Sequence, residues 1–404
     1  MSLQSDWTWL IYMAGDNNLE GAGKEDLDEM KEVGSNDRLK IVVQFDTEQN
    51  KTTRYLIEKN GLKILQEMPG VNTGDPKILT DFIKWGINEF PAQHYLINIW
   101  NHGGGWENLP TDYDYESLRA SKPGLASKLK RVRRSIFRNT IKKIDNRSPA
   151  DRAIAIDVGA ADYLDNMELR TAIFNALPDN KKFDILGCDA CLMNMLEIAF
   201  ENKDVANIMV GSEETEPGTG WPYTSILKKL SEIPNMSPSD LAKAIAQDYG
   251  EYYENNGNAI QDQSATQSAL DLTHIQPVAE SLNDLANVMI KNIDDIAGQV
   301  LLARQKAQKF DMPEYIDLIS FLDELIKRLP QNKAVADAAK KTLSILKSEQ
   351  DKFIIANTKW GPRVERASGV SIYFPEHDYL EDYGDLAFSK QYQWKQFLKT
   401  MMNA

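Results

Sequence analysis

The chain has 404 residues, 42% of them apolar and 26% charged, with a formal net charge of −14. That length exceeds one compact core and predicts a large α/β domain of about 250 residues with a smaller attachment, or one domain with a large insertion. The acidic balance argues against general nucleic-acid binding, and no apolar run approaches the roughly 20 residues of a membrane span.

Met1-Ser2-Leu3 runs straight into the strand-like WTWLIYM (7–13), which reads as a chain begun just before its first element, with an export signal removed. Apolar and β-branched runs follow at LKIVVQF (39–45), YLINIW (95–100), AIAID (153–157), FDILGCDA (183–190), ANIMVGS (206–212) and TQSALDLT (266–273). Helical patterns separate them at 23–33, 76–90 and 168–176. Strand and helix alternating in this way predict a mostly parallel sheet with helices on both faces, and sites in such sheets collect beyond the carboxyl ends of the strands. Asp16, Asn17 and Asn18 read as a helix N-cap after the first strand. From 274 the pattern turns helical for about 90 residues, through DLANVMIKNI, YIDLISFLDELIKRL and AVADAAKKTLSILKSEQ. GVSIYFP (369–375) then reads as a strand, which could return to the core, and QWKQFLKTM as a closing helix. The expected division is a catalytic domain over 1–273, with a basic insertion at about 107–152, and a mainly helical subdomain over 274–404.

The basic insertion stands out. Between Arg119 and Arg147 lie eleven Lys or Arg against one acid, Asp145, so the stretch carries +10 and the remaining chain −24.

Two constellations carry chemistry. YLINIW ends in Asn101, His102 and three glycines, a histidine at a strand's carboxyl end followed by residues that let a backbone approach a ligand closely. FDILGCDA leads through Cys191 into a helical run, so Cys191 is expected at a helix N-terminus, where free N–H groups and the dipole lower a thiol's pKa. Cys188 reads as an inert core thiol. If the two strands are neighbours, His102 and Cys191 form a nucleophile-base pair: the thiolate attacks a carbonyl, the imidazolium protonates the leaving amine, and backbone N–H groups of Gly103 and Cys191 hold the oxyanion. No third member is visible in the sequence.

At these residues the chain resembles the clostripain-like cysteine peptidases, within the wider group that includes gingipains, legumains, separase and caspases. The matching motifs are NIWNHGGGW around His102, GCDACLMNMLE around Cys191 and GSEETEPGTGWPY from Gly211, with the opening WLIYMAGDNNLE and the late GVSIYFP extending the likeness over nearly the whole chain. The resemblance implies a caspase-like sheet sandwiched by helices, His102 and Cys191 as the dyad, and cleavage after Arg or Lys through an acidic S1 pocket. It places Asp189 in that pocket. Glu213, Glu214 and Glu216 all lie in the matching segment for a second acid, and Glu214 is favoured. Relatives are often activated by cleavage between the dyad residues, and KLKRVRRSIFR (128–138) offers Arg131, Arg133, Arg134 and Arg138 for autoprocessing. Some clostripain-like enzymes depend on calcium; at Asp157-Val158 this chain lacks a second acid, so no metal site is named and no cofactor is expected. The implied partners are peptide or protein substrates with basic residues. A secreted, periplasmic or cell-surface bacterial monomer is expected.

Two other readings remain. Cys188-Asp189-Ala190-Cys191 is formally a C-x-x-C of the kind thiol oxidoreductases use, although it falls after about five strands and leaves the His-Gly-Gly-Gly loop unexplained. Alternatively, the basic block belongs to a non-catalytic module that binds anions or nucleic acid, although it has only one aromatic, Phe137. The four histidines are scattered, and one C-x-x-C is half a zinc site.

Overall fold

The strand β1 (Ser5–Gly15) alternates its side chains between two apolar layers: Trp7, Trp9, Ile11 and Met13 face one, Leu10, Tyr12 and Ala14 the other. A strand buried on both faces belongs in the middle of a sheet covered by helices, and β1 lies there in the computed structural model. The structure describes residues 4–106, 154–178, 181–256, 264–350, 352–377 and 379–404. The insertion expected at 107–152, with Arg131, Arg133, Arg134 and Arg138, lies outside the described residues.

Nine strands form the main sheet: β1, β2 (Leu39–Thr47), β3 (Lys51–Glu58), β4 (Gly61–Pro69), β5 (Ala92–Trp100), β8 (Phe183–Asp189), β9 (Ala206–Gly211), β10 (Ala265–Asp271) and β12 (Ile354–Trp360). Their order is β12-β10-β9-β8-β5-β1-β2-β3-β4. The five central strands, from β9 to β2, run parallel, and antiparallel strands close each side. Between β5 and β8 lies a separate two-stranded pair, β6 (Ile154–Asp157) with β7 (Asp162–Leu164), and β11 (Tyr315–Asp317) pairs with β13 (Ser371–Tyr373) in another. GVSIYFP therefore does not enter the main sheet. The chain segment after 273 reaches it instead through β12, antiparallel to β10.

Helices cover both faces. Helix α1 (Glu20–Val33) and the helix Tyr223–Glu232 pack on one side, α2 (Pro76–Glu89) and the helix Asn166–Ala176 on the other. Asp75 caps α2 by accepting from Lys77 N with Pro76 at the first helical position, a pre-set start for a helix. One apolar cluster runs from Leu10, Ile99 and Cys188 through to Leu282, Leu322 and Trp394, so the late helices share a core with the sheet.

Register sets the site. In the parallel pair β5–β8, Ile99 lies opposite Cys188 and Trp100 opposite Asp189. His102 and Cys191 each follow two residues later, so two neighbouring strands deliver them at the same level beyond the sheet's carboxyl edge.

Candidate active site

His102 is 5% exposed and held by its surroundings on both sides. Its backbone N–H donates to Asn101 Oδ1 at 2.5 Å, and that amide bonds in turn to Ile156, accepting from its N–H at 3.1 Å, and to the carbonyl of Ala14. On the ring, Nε2 meets Asn18 Oδ1 at 2.7 Å. Burial lowers the imidazole to a pKa of about 4, so the ring is neutral at pH 7. Asn18 was expected in a helix cap. Instead α1 begins without a side-chain cap, Asn17 ties the loop to Ala14 O, Ile156 O and Leu19 N, and Asn18 turns to the histidine.

Cys191 sits in the turn after β8, and here the structure corrects the expectation of a helix N-terminus: the next helix, Leu196–Asn202, starts five residues on. The turn is strained, with Leu192 at φ +63°, and it is pinned by Leu192 N to Glu214 O at 3.1 Å and Asn194 N to Ser212 O at 2.9 Å. Burial, and then the Glu216 carboxyl, push the thiol well above its ordinary value. The backbone N–H of Glu216 donates to Cys191 Sγ at 3.2 Å. Thiol and imidazole are thus both neutral at rest. Gly103 packs backbone to backbone against Cys191, where an added Cβ would lie 2.4 Å from the Cys191 carbonyl oxygen; glycine is required there. Cys188 is fully buried within β8, its thiol raised by burial as that of Cys191 is, and unlike Cys191 it does not line the cavity that His102 lines.

His102 and Cys191 line one cavity together with Asp189, Glu216, Asp26 and Trp100. Asp189 accepts from Tyr223 OH at 2.7 Å and from Trp221 N at 3.4 Å. Gly220, at φ +57°, lies against it so closely that a Cβ would stand 3.0 Å from Oδ1. Burial, and then the facing Asp189 carboxyl, raise Glu216 well above the carboxylate range; burial raises Asp189 too, and the two carboxyls keep a proton between them. The structure differs from the sequence expectation over the second acid. Glu214 accepts from Thr215 N and Oγ1, both at 2.9 Å, and faces Arg363 Nη2 at 3.3 Å, while Glu216 turns into the cavity. Glu213 is spent elsewhere, accepting from Gly369 N at 2.8 Å.

Asp26 was not foreseen. It comes from α1, is 3% exposed and accepts from Trp100 Nε1 at 2.7 Å; burial, then Asp189, raise its carboxyl. Its signal was an acid on the helix face that also carries Ala22 and Met30, four residues to either side. At the strand ends, Asp16, Asp46 and Asp157 each offer a carboxylate oxygen within 4.8 Å of the others, hard donors of the kind calcium or magnesium takes. Asp16, just after β1, and Asp46, in β2, thus stand beside Asp157. Asp46 is raised to about 7 by burial, and Asp157 accepts from Thr73 N at 2.9 Å and Ala160 N at 2.8 Å.

The model of the clostripain family matches residues 11–119 and 140–400. Clostripain of Hathewaya histolytica is 26% identical over 254 residues, covering 55% of this chain and 42% of that protein, so the chain matches less than half the relative's length. Among solved structures, a secreted cysteine protease from Bacteroides thetaiotaomicron with an irreversible peptide inhibitor superposes with a TM-score of 0.70 at 17% identity, covering 97% of this chain and all of that one. An inactive zymogen protease from Parabacteroides distasonis gives 0.65 at 19%, covering 97% and 99%. Family model, fold and the strand-end placement of His102 and Cys191 agree: the chain belongs to the clostripain family.

Proposed function

We propose that this chain is a cysteine endopeptidase that cuts after arginine or lysine, with Cys191 as nucleophile and His102 as acid-base partner. The observation that carries the reading is the β5–β8 register, which brings both side chains to a cavity holding the buried carboxyls of Asp189 and Glu216. A guanidinium or ammonium entering it displaces the shared proton and pairs with both acids. His102 takes the thiol proton as Sγ bonds to the scissile carbonyl carbon, then gives it to the leaving amine as the tetrahedral intermediate collapses to a thioester. Water, deprotonated by the same imidazole, hydrolyses the thioester and restores the thiol. The backbone amides of Gly103 and Cys191, packed against each other, stabilise the oxyanion. Thiol, imidazole and amides suffice without a cofactor.

The reading extends to activation and location. An enzyme of this specificity with KLKRVRRSIFR between its dyad residues carries its own substrate, which supports autoprocessing after Arg131, Arg133, Arg134 or Arg138. Export is supported by the secreted relative from Bacteroides thetaiotaomicron; no helix among the described residues is long and apolar enough to cross a membrane. The enzyme acts as a monomer on peptides and proteins. Hydrolysis of fluorogenic Arg-, Lys- and Asp-amides by wild type, Cys191→Ala and Cys188→Ala tests the reading. Activity on Arg or Lys that disappears with Cys191 alone is expected; turnover that survives Cys191→Ala contradicts it.

A further inference from the structure

We propose that Asn18 is the positioning residue of His102: its side-chain oxygen, at the Nε2 edge of the ring, fixes the tautomer with the proton on Nε2 and assigns Nδ1 to Cys191 and the leaving amine. The proposal rests on the dyad reading above. A carboxamide oxygen only accepts, so a 2.7 Å contact to Nε2 requires the proton to be there whenever the ring is neutral. The lowered imidazole pKa agrees, since burial favours the uncharged ring. Asn18 is itself pre-set. The neighbouring Asn17 donates to Ala14 O at 3.0 Å and Ile156 O at 2.8 Å and accepts from Leu19 N at 2.9 Å, which locks the loop from the carboxyl end of β1 onto the elements that flank His102. Asn101 ties the histidine backbone to the same two carbonyls, so ring and backbone are referenced to one frame. A neutral acceptor suits a histidine that must pick up and release a proton within one turnover; an anion there would raise the ring's pKa and slow the release.

The test compares Asn18→Ala and Asn18→Asp with wild type and His102→Ala on an Arg-amide from pH 4 to 9, with kcat, KM and thermal midpoints from the same samples. The cavity acids Asp26, Asp189 and Glu216 are kept in every variant. Asn18→Ala is expected to lower kcat about 10- to 100-fold with KM within about threefold, because only transition-state proton transfer is disturbed. Asn18→Asp restores the acceptor, so most of kcat returns at neutral pH, and its charge moves the acid limb of kcat upward by about a pH unit or more. Wild-type kcat in Asn18→Ala, or equal losses in both variants with the limb unmoved, overturns the proposal while the dyad stands. Full activity in His102→Ala overturns the dyad reading instead. If Asn18→Ala folds poorly, the limb of Asn18→Asp decides, since a packing role does not move it.

Discussion

Three glutamates within four residues look alike in sequence, and their fates differ because the loop sends each side chain to a different partner. Glu213 goes to Gly369, Glu214 to Thr215 and Arg363, and Glu216 into the cavity beside Asp189. Removing the two pocket acids should therefore act on substrate binding: Asp189→Asn is expected to raise KM for an Arg-amide by about 100-fold and Glu216→Gln by about 10-fold, the range of charge-assisted hydrogen bonds lost from a buried site. Glu214→Gln should leave KM within about threefold and lower the thermal midpoint, because Arg363 loses one of its buried acidic partners and keeps Asp311. Steady-state kinetics separate the cases. The pKa directions also separate kcat from KM. The pocket carboxyls are raised by burial and must lose their proton to hold a cation, whereas His102 titrates at about 4. From pH 7 down to 5, KM for the Arg-amide should rise while kcat changes by less than about threefold; a kcat that falls with an ordinary histidine midpoint contradicts this.

At the scale of elements, the meeting of His102 and Cys191 at one cavity was legible because both residues follow buried strands, and parallel pairing puts such positions side by side. Asn18 and Asp26 were not, because they reach the site from the β1–α1 loop and α1, more than 70 residues before His102, and only the tertiary fold joins them. The β3–β4 hairpin escaped notice although Asn60-Gly61 marks its turn, with Asn60 at φ +62°. Its strands alternate only partly between buried and exposed, so they lack the continuous apolar run that revealed the central strands. The helix Leu196–Asn202 that follows Cys191 carries a buried acid, Glu197, which accepts from Tyr373 N at 2.9 Å and Tyr383 OH at 2.8 Å and so ties β13 to this helix. Burial raises Glu197 from 4.5 to about 7. A raised carboxyl favours the fold fully below its unfolded value and loses that contribution as pH climbs through 7. Urea unfolding at pH 5 and pH 8 should show Glu197→Gln gaining on wild type by about 3 kcal/mol between the two; a pH-independent difference would falsify the assignment.

Over the whole molecule, alternation of strands and helices announced the α/β architecture and its parallel centre, but the antiparallel margins were hidden. The margin strands β4 and β12 have no fully buried residue and β3 alternates irregularly, and β12 is the next element after a helical run. The late helices continue the sheet's own apolar cluster, and β13 is tied to the turn after Cys191 through Asn194, whose carbonyl accepts from Ser371 N at 3.1 Å. Charge divides between a basic stretch of +10 and a remainder of −24, so an arginine-cutting enzyme carries its basic substrate sequence within its own chain. Intact mass after incubation should show two fragments for wild type, with the new end at Arg131, Arg133, Arg134 or Arg138, and one intact chain for Cys191→Ala; an uncut wild type removes autoprocessing from the account.

The central claim, that Cys191 is the nucleophile beside a pocket for a basic side chain, is tested most directly by covalent labelling. A peptide halomethyl ketone ending in arginine, compared with one ending in aspartate, is followed by mass mapping of Cys188 and Cys191. The account predicts a single adduct on Cys191 with the arginine reagent, slowed in Asp189→Asn and absent with the aspartate reagent. An adduct on Cys188, or equal labelling by both reagents, would contradict it.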